Sequence, residues 1–222
     1  VQTLYVEQEN LHNRPEVLKK INDLSAKTIL DIGGSWNCWL GDQVTHMFDL
    51  HDPTTNFGMT TNNANIKWFS GNINDYESWV QIFEYVEQNG KFDFCNCSHT
   101  LEDIAYPEAA LKYMPRVAKA GFVAVPSKYW ELDRRLRFRG GHHHRWIFDN
   151  DKNVLKLYPK INLIEYLTQY DAHGSMIIEH GKKELRMLWE DTIDFSIINN
   201  DYLGPTFEDV INMYDYLILN NN

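Results

Sequence analysis

The chain has 222 residues, 43% of them hydrophobic and 14% aromatic, which is enough to bury a sizeable core in one α/β domain with an elaboration. Lys plus Arg total 21 against 31 Asp plus Glu, and this formal charge of −10 argues against the broad basic footprint of a nucleic-acid binder. The sequence shows no run of about 18 apolar residues and no charged start leading into an apolar stretch. The expectation is therefore no membrane span, no secretory leader and a cytoplasmic protein.

The first periodic segment, Arg14 to Leu24, reads as a helix, with Pro15 tolerated in the first turn and Val17, Leu18, Ile21 and Leu24 on one face. It is expected to cap a sheet or cover a ligand. Thr28-Ile29-Leu30-Asp31-Ile32-Gly33-Gly34-Ser35 then reads as a buried strand running straight into a glycine turn. Asp31 supplies a carboxylate at the carboxyl edge of that sheet, and Gly33 and Gly34 allow a close backbone approach that a Cβ would block. Two adjacent glycines after a strand also read as plain turn chemistry. The spaced dinucleotide fingerprint is missing, because Ser35, Trp36, Asn37 and Cys38 follow Gly34, so a pyrophosphate cradle is not expected. Thr45 to Asp49 is a second strand-like run ending in an acid, a position that commonly holds the two ribose hydroxyls of an adenosine.

Glu77 to Gln88 carries Trp79, Ile82, Phe83 and Val86 at helical spacing and reads as a core-facing helix. A third strand, Phe92 to Ser98, passes into the polar turn His99-Thr100-Leu101-Glu102-Asp103, and Glu108 to Val117 forms a further helix. Strands alternating with helices predict βαβ units in a doubly wound, mostly parallel, Rossmann-like sheet. The three cysteines are odd in number. The spacing of Cys95 and Cys97 is not that of a Cys-x-x-Cys site, so buried free thiols are expected rather than a metal or redox pair, and nothing around Cys38 activates its thiolate.

In order, these blocks resemble class I S-adenosylmethionine-dependent methyltransferases, in the branch similar to methyltransferase type 11. Ser98-His99-Thr100-Leu101-Glu102-Asp103-Ile104 with Pro107 is similar to that branch's fourth-strand motif. Arg116-Val117-Ala118-Lys119-Ala120-Gly121 is similar to its turn into the fifth strand, and the resemblance covers about the first 127 residues. It implies a class I methyltransferase fold with an insertion after the fifth strand and S-adenosylmethionine as cofactor. It also implies that Asp31, Gly33 and Gly34 lie against the methionine portion and that Asp49 is the ribose acid. Asn72 stands where the family usually has an acid for the adenine amino group; an amide oxygen accepts that bond without charge. Ser35, Leu50, Ile73, Ser98 and His99 complete the expected cofactor contacts.

After Pro126 the chain changes character. Residues 127 to 141 are basic and aromatic within an acidic protein, and they lead into His142-His143-His144-Arg145-Trp146. The Arg cluster suits a carboxylate or phosphate, so Arg134, Arg137, Arg145 and Trp146, with Glu102, are the expected substrate contacts, and an anionic acceptor is favoured. The same run also reads as a solvated charged face. His99, His142, His143 and His144 are candidate general bases. If the triplet is extended, His142 and His144 share a side. A polar loop bonded to backbone and water explains the same three residues. The organisation expected is a single domain: a helical cap over 1–26, a cofactor-binding core over 27–127, a substrate-covering insertion over 128–160, and closing strands and helix over 161–222. Within that last part, Lys183–Glu190 and Phe195–Ile198 read as strands, expected as the last, antiparallel strands of the sheet, and Thr206–Leu219 as a helix.

The reading is a methyltransferase, EC 2.1.1 in type, acting on a small-molecule acceptor, with no metal, no nucleic acid and no membrane. Two alternatives stand beside it. One is a metal-dependent hydrolase or oxygenase built on His142 to His144, which lacks a complete ligand spacing. The other is a non-catalytic S-adenosylmethionine-binding module.

Overall fold

The computed structural model describes residues 1–7, 14–34, 38–50, 65–134, 138–172, 181–198 and 207–219. In chain order the elements are β1 (Gln2–Glu7), α1 (Pro15–Asp23), β2 (Ile29–Ile32), β3 (His46–Asp49), β4 (Lys67–Ser70), α2 (Tyr76–Asn89), β5 (Phe94–Ser98), α3 (Pro107–Val117) and β6 (Ala120–Pro126). They continue with α4 (Lys128–Leu132), β7 (Trp146–Asp151), β8 (Val154–Pro159), β9 (Glu184–Glu190), β10 (Phe195–Ile197) and α5 (Phe207–Leu219). The large sheet has the order β1-β9-β6-β5-β2-β3-β4, and β10-β8-β7 form a second sheet. The result is a mixed α/β fold with a mostly parallel central sheet. None of the described helices is long and apolar enough to cross a membrane.

Where the sequence reading counts one domain, the chain divides into two compact units: 1–2, 10–124 and 188–193 in the first, 3–9, 125–187 and 194–222 in the second. The first unit carries the parallel ladder. Asp31 on β2 pairs with Asn96 on β5 and with Met47 on β3, while Asp49 pairs with Ser70 on β4. These strands are short and apolar because helices cover both faces. On one face, Val17 and Ile21 of α1, one turn apart, join Ile29, Met47, Phe94 and Phe122 in a continuous core. On the other, Trp79 of α2 meets Phe48 edge-on at 5.0 Å and Tyr113 of α3 at 5.3 Å. Helix α1 begins at Pro15, whose fixed φ suits a first turn, and α2 ends at Gly90 with φ +80°.

Strand order decides where a ligand can go. From β2 the chain steps outward to β3 and β4, then returns to β5 on the other side of β2. The carboxyl ends of β2 and β5 therefore flank a topological switch point, which opens a crevice.

The second unit has its own core around the antiparallel β7–β8 hairpin, where Ile147, Tyr158, Ile164 and Tyr170 pack with Val210, Met213, Tyr214 and Leu217 of α5. The last four lie at i, i+3, i+4 and i+7, the face the periodicity predicts.

Two expectations are corrected. A strand, β1, occupies Gln2–Glu7, where only a helical cap is expected; no helical periodicity marks those residues. The segment over 128–160 contains α4 and the β7–β8 hairpin. Strand β10 leaves the large sheet and runs parallel to β8, whereas β9 stays beside β6. Hydrogen bonds from Asp191 to Lys119 and from Ser127 to Lys183 show that β9 runs antiparallel to β6.

Candidate active site

Asp31 is the centre of the crevice in the first unit. It sits mid-sheet with no solvent exposure. Its Oδ2 accepts from the Asn96 amide at 2.5 Å and from the Cys38 thiol at 2.8 Å. Burial pushes the carboxyl up to about 6; the bonds from Cys38 and Asn96 pull it partly back, and the Asp49 charge adds a smaller upward push. Oδ1 accepts no hydrogen bond among the described residues, and the nearby Gly34 amide makes only a slight contribution. A buried carboxylate oxygen without a donor is costly, and it fits a ligand that brings one.

The glycine turn is required sterically. Gly33 has φ +73°, its N–H donates to the Phe48 carbonyl at 2.9 Å, and a Cβ there would fall 2.4 Å from the Thr100 side chain. At Gly34 a Cβ would fall 1.8 Å from Asp31 Oδ1. Any side chain at Gly34 would therefore fill the space in front of the unpartnered oxygen. Thr100 lies 3.3–3.4 Å from the carbonyls of Ser98, Ile32 and Gly33, which ties the end of β5 to the turn after β2.

Asp49 ends β3, half-buried, with Oδ1 accepting from the Leu50 amide at 2.6 Å; Leu50 is exposed. Past β4, Asn72 turns its oxygen toward its own loop. Its Oδ1 already accepts from the Asn74 backbone at 3.0 Å and from the Asn74 side chain at 2.8 Å, so both lone pairs are engaged in a local turn. Neighbouring Ile73 is buried, and its carbonyl accepts from Trp79 at 2.9 Å.

After β5, Ser98 is half-buried and His99 adopts φ +53°, a left-handed conformation that is uncommon for a residue with a side chain. Its Nδ1 lies 3.3 Å from Oε1 of Glu102, whose side chain is 1% exposed. Burial raises the Glu102 carboxyl, and the bond from His99 opposes that rise. Glu102 thus backs His99 instead of meeting substrate directly. The arrangement fixes the imidazole orientation and puts a proton acceptor at the strand end.

The sequence reading missed Asn96 and Arg14. Arg14 is fully buried at the start of α1, with its guanidinium 4.8 Å from the Trp39 ring and 5.3 Å from Phe122. A lone Arg before a helix carries no signal of that burial. Cys38 matches the expectation of an unactivated thiol, since burial pushes it well up.

In the second unit, Arg134 donates to the Glu165 carbonyl and lies 3.5 Å from Asp171. Arg139, fully buried, spans the carbonyls of Ile164, Leu132 and Leu167 and pairs with Asp171. Both guanidiniums are engaged within the protein; of the expected substrate contacts this concerns Arg134. Arg145 is exposed and Trp146 half-buried at the start of β7. His142 and His143 are exposed in a turn rather than an extended run, closed by the bond from His144 N–H to the Gly141 carbonyl. Ser35 and Arg137 lie outside the described residues.

No protein-family model matches the chain, and no curated protein matches it. Among solved structures it is similar to the methyltransferase domain of bacterial CtHen1, with 12% identity, a TM-score of 0.44, and coverage of 81% of this chain and 96% of that one. It is also similar to magnesium protoporphyrin IX methyltransferase from Synechocystis PCC 6803 with bound S-adenosylhomocysteine, with 11% identity, a TM-score of 0.35, and coverage of 51% of this chain and 54% of that one. Both are distant likenesses.

Proposed function

We propose that this chain transfers a methyl group from S-adenosylmethionine to a small-molecule acceptor, with the cofactor held at the carboxyl ends of β2, β3 and β5. The observation that carries the reading is Asp31: a fully buried carboxylate whose Oδ1 accepts no hydrogen bond among the described residues, beside a turn where a Cβ at Gly34 would fall on that oxygen. A ligand ammonium supplies the donor that the site lacks. Asp49, at the end of the next strand, is placed to accept from vicinal hydroxyls.

When bound, S-adenosylmethionine supplies an electrophilic sulfonium methyl open to in-line displacement. Gly33 and Gly34 let the backbone approach, and Asp31 and Asp49 fix the two ends of the cofactor. His99, oriented by buried Glu102, takes the proton that an oxygen or nitrogen acceptor loses.

One observation favours a second reading, a binding module without turnover. The Asn72 oxygen is already engaged twice by Asn74, so adenine recognition there would cost an internal bond. Calorimetric titration with S-adenosylmethionine and S-adenosylhomocysteine, repeated on Asp49→Ala, tests the site itself. Saturable binding weakened by about 10–100-fold in the variant is expected, the scale of a charge-assisted hydrogen bond. No binding of either ligand to the wild-type protein overturns the proposal.

A further inference from the structure

The second unit contains a cavity of about 360 Å³ that the methyl-transfer reading does not use. Phe138, His142, His144, Asn162, Glu165 and Tyr166 line it, together with Lys160 and two isoleucines. Its back wall is built with little tolerance. Glu131 is fully buried, its Oε1 lies 2.5 Å from His144 Nδ1 and its Oε2 accepts from Lys160 at 2.5 Å. Lys160 is held further by the carbonyls of Arg139 and Gly141, each at 2.8 Å. Two glycines make room for this. A Cβ on Gly140, at φ +53°, would fall 2.5 Å from Glu131 Oε2, and one on Gly141 would fall 2.4 Å from the His144 ring. The Gly-Gly before the histidine triplet is therefore a packing requirement of a buried carboxylate and the imidazole it orients.

The chemistry of the lining narrows the ligand. Glu131 fixes the orientation of the His144 ring in the back wall. Asn162 adds an amide with both donor and acceptor, and Glu165 adds a carboxylate already oriented by the Arg139 N–H, 3.1 Å from each oxygen. Around these polar groups stand two exposed rings, Phe138 at 45% and Tyr166 at 80% exposure. Lys160 pairs with Glu131, Arg134 and Arg139 share Asp171, and the Glu165 carboxylate is held by the Arg139 backbone N–H. The formal charges of these six side chains sum to zero, so the wall offers no net attraction for an anion or a cation. Flat apolar faces beside mixed donors and acceptors match a ring that is itself apolar on one face and hydroxylated at its edge. The volume is at the small end for ligand pockets, which suits one or two rings.

We propose that this cavity is a binding site for a neutral pyranose sugar, with Glu165 accepting from its hydroxyls, Asn162 donating and accepting, and Tyr166 and Phe138 packing on its face. None of these residues belongs to the proposed cofactor site, so S-adenosylhomocysteine binding tests the two readings separately.

The test uses the full chain and the methyl glycosides of glucose, galactose, mannose and N-acetylglucosamine as probes, with acetate, inorganic phosphate and methylammonium as charged controls. Saturation-transfer NMR followed by calorimetry is expected to show saturable binding of at least one glycoside, with Kd in the millimolar range typical of few-contact ligands, about −4 kcal/mol. Tyr166→Ala and His142→Ala change exposed residues and should keep the wild-type unfolding midpoint. Tyr166→Ala should weaken the glycoside at least about fivefold, as expected for the loss of one packed ring. Binding of S-adenosylhomocysteine should be unchanged in both variants. Absence of any glycoside signal, equal glycoside binding in Tyr166→Ala, or binding of the charged controls alone overturns the assignment.

Discussion

Asp31→Asn separates the cost of the buried carboxylate from its use. Burial pushes this carboxyl up to about 6, above the ordinary carboxylate range. That rise corresponds to about 3 kcal/mol between the two protonation states. The folded value lies above the unfolded one, so the folded state binds the proton more tightly. Stability from this group is therefore full below about pH 4 and is lost as pH rises through about 6. The amide removes the charge and keeps the shape, and its oxygen can still accept from Asn96 and Cys38. Urea unfolding at pH 4 and pH 7 should show the variant close to wild type at the lower pH and more stable at the higher one. The wild-type-to-variant gap should change by about 3 kcal/mol between them. Calorimetry at pH 7 should show S-adenosylhomocysteine binding lost in the same protein. Parallel stability curves for the two proteins would refute the assignment of a costly buried charge. Retained binding would refute its use as the ammonium acceptor.

Gly34→Ala puts a methyl group 1.8 Å from Asp31 Oδ1, so cofactor affinity should fall by at least about tenfold by calorimetry, the scale of one lost charge-assisted bond, while the fold survives. Glu102→Gln keeps the volume behind His99 but removes the carboxylate; turnover should fall about 10–100-fold with S-adenosylhomocysteine affinity unchanged, and a loss of affinity instead would place Glu102 in cofactor binding. Asp93→Ala removes the acceptor for the Lys27 and Thr28 amides and for Lys119. Partial burial raises the Asp93 carboxyl, but these bonds outweigh it and hold it at about 2, so the variant should lose about 2 kcal/mol near pH 7. That contribution is present above about pH 4 and disappears as pH falls through about 2, which unfolding curves at two pH values would check. Arg139→Met leaves the carbonyls of Ile164, Leu132 and Leu167 without their donor, while exposed Asp171 keeps Arg134 at 3.5 Å; it should cost about 1–3 kcal/mol in denaturant unfolding, and a loss under about 0.5 kcal/mol would show that the buried guanidinium is dispensable.

The parallel ladder and its helices were legible because period and punctuation agreed. Apolar runs ended in Asp31 and Asp49, glycines followed the first of them, and Val17 with Ile21, or Val210 with Met213, Tyr214 and Leu217, kept a helical spacing that only one face can satisfy. Those signals are local, so a single sequence carries them. Long-range partners are not local. That the Asn72 oxygen is spent on Asn74 requires the turn to be built, since an amide in sequence looks available. The basic run after Pro126 looked like an anion site, yet Arg134 and Arg139 both reach Asp171, an acid some 32 to 37 positions further along the chain. Nor does alternation tell which sheet a strand joins: β9 stays in the large sheet and β10 leaves it, because backbone pairing depends on what lies alongside and not on the strand's own residues. The sequence by itself determined which residues face a core and where strands end. Only the tertiary structure decided which buried charges are matched, because that depends on the pairing of groups that the chain keeps far apart until it folds.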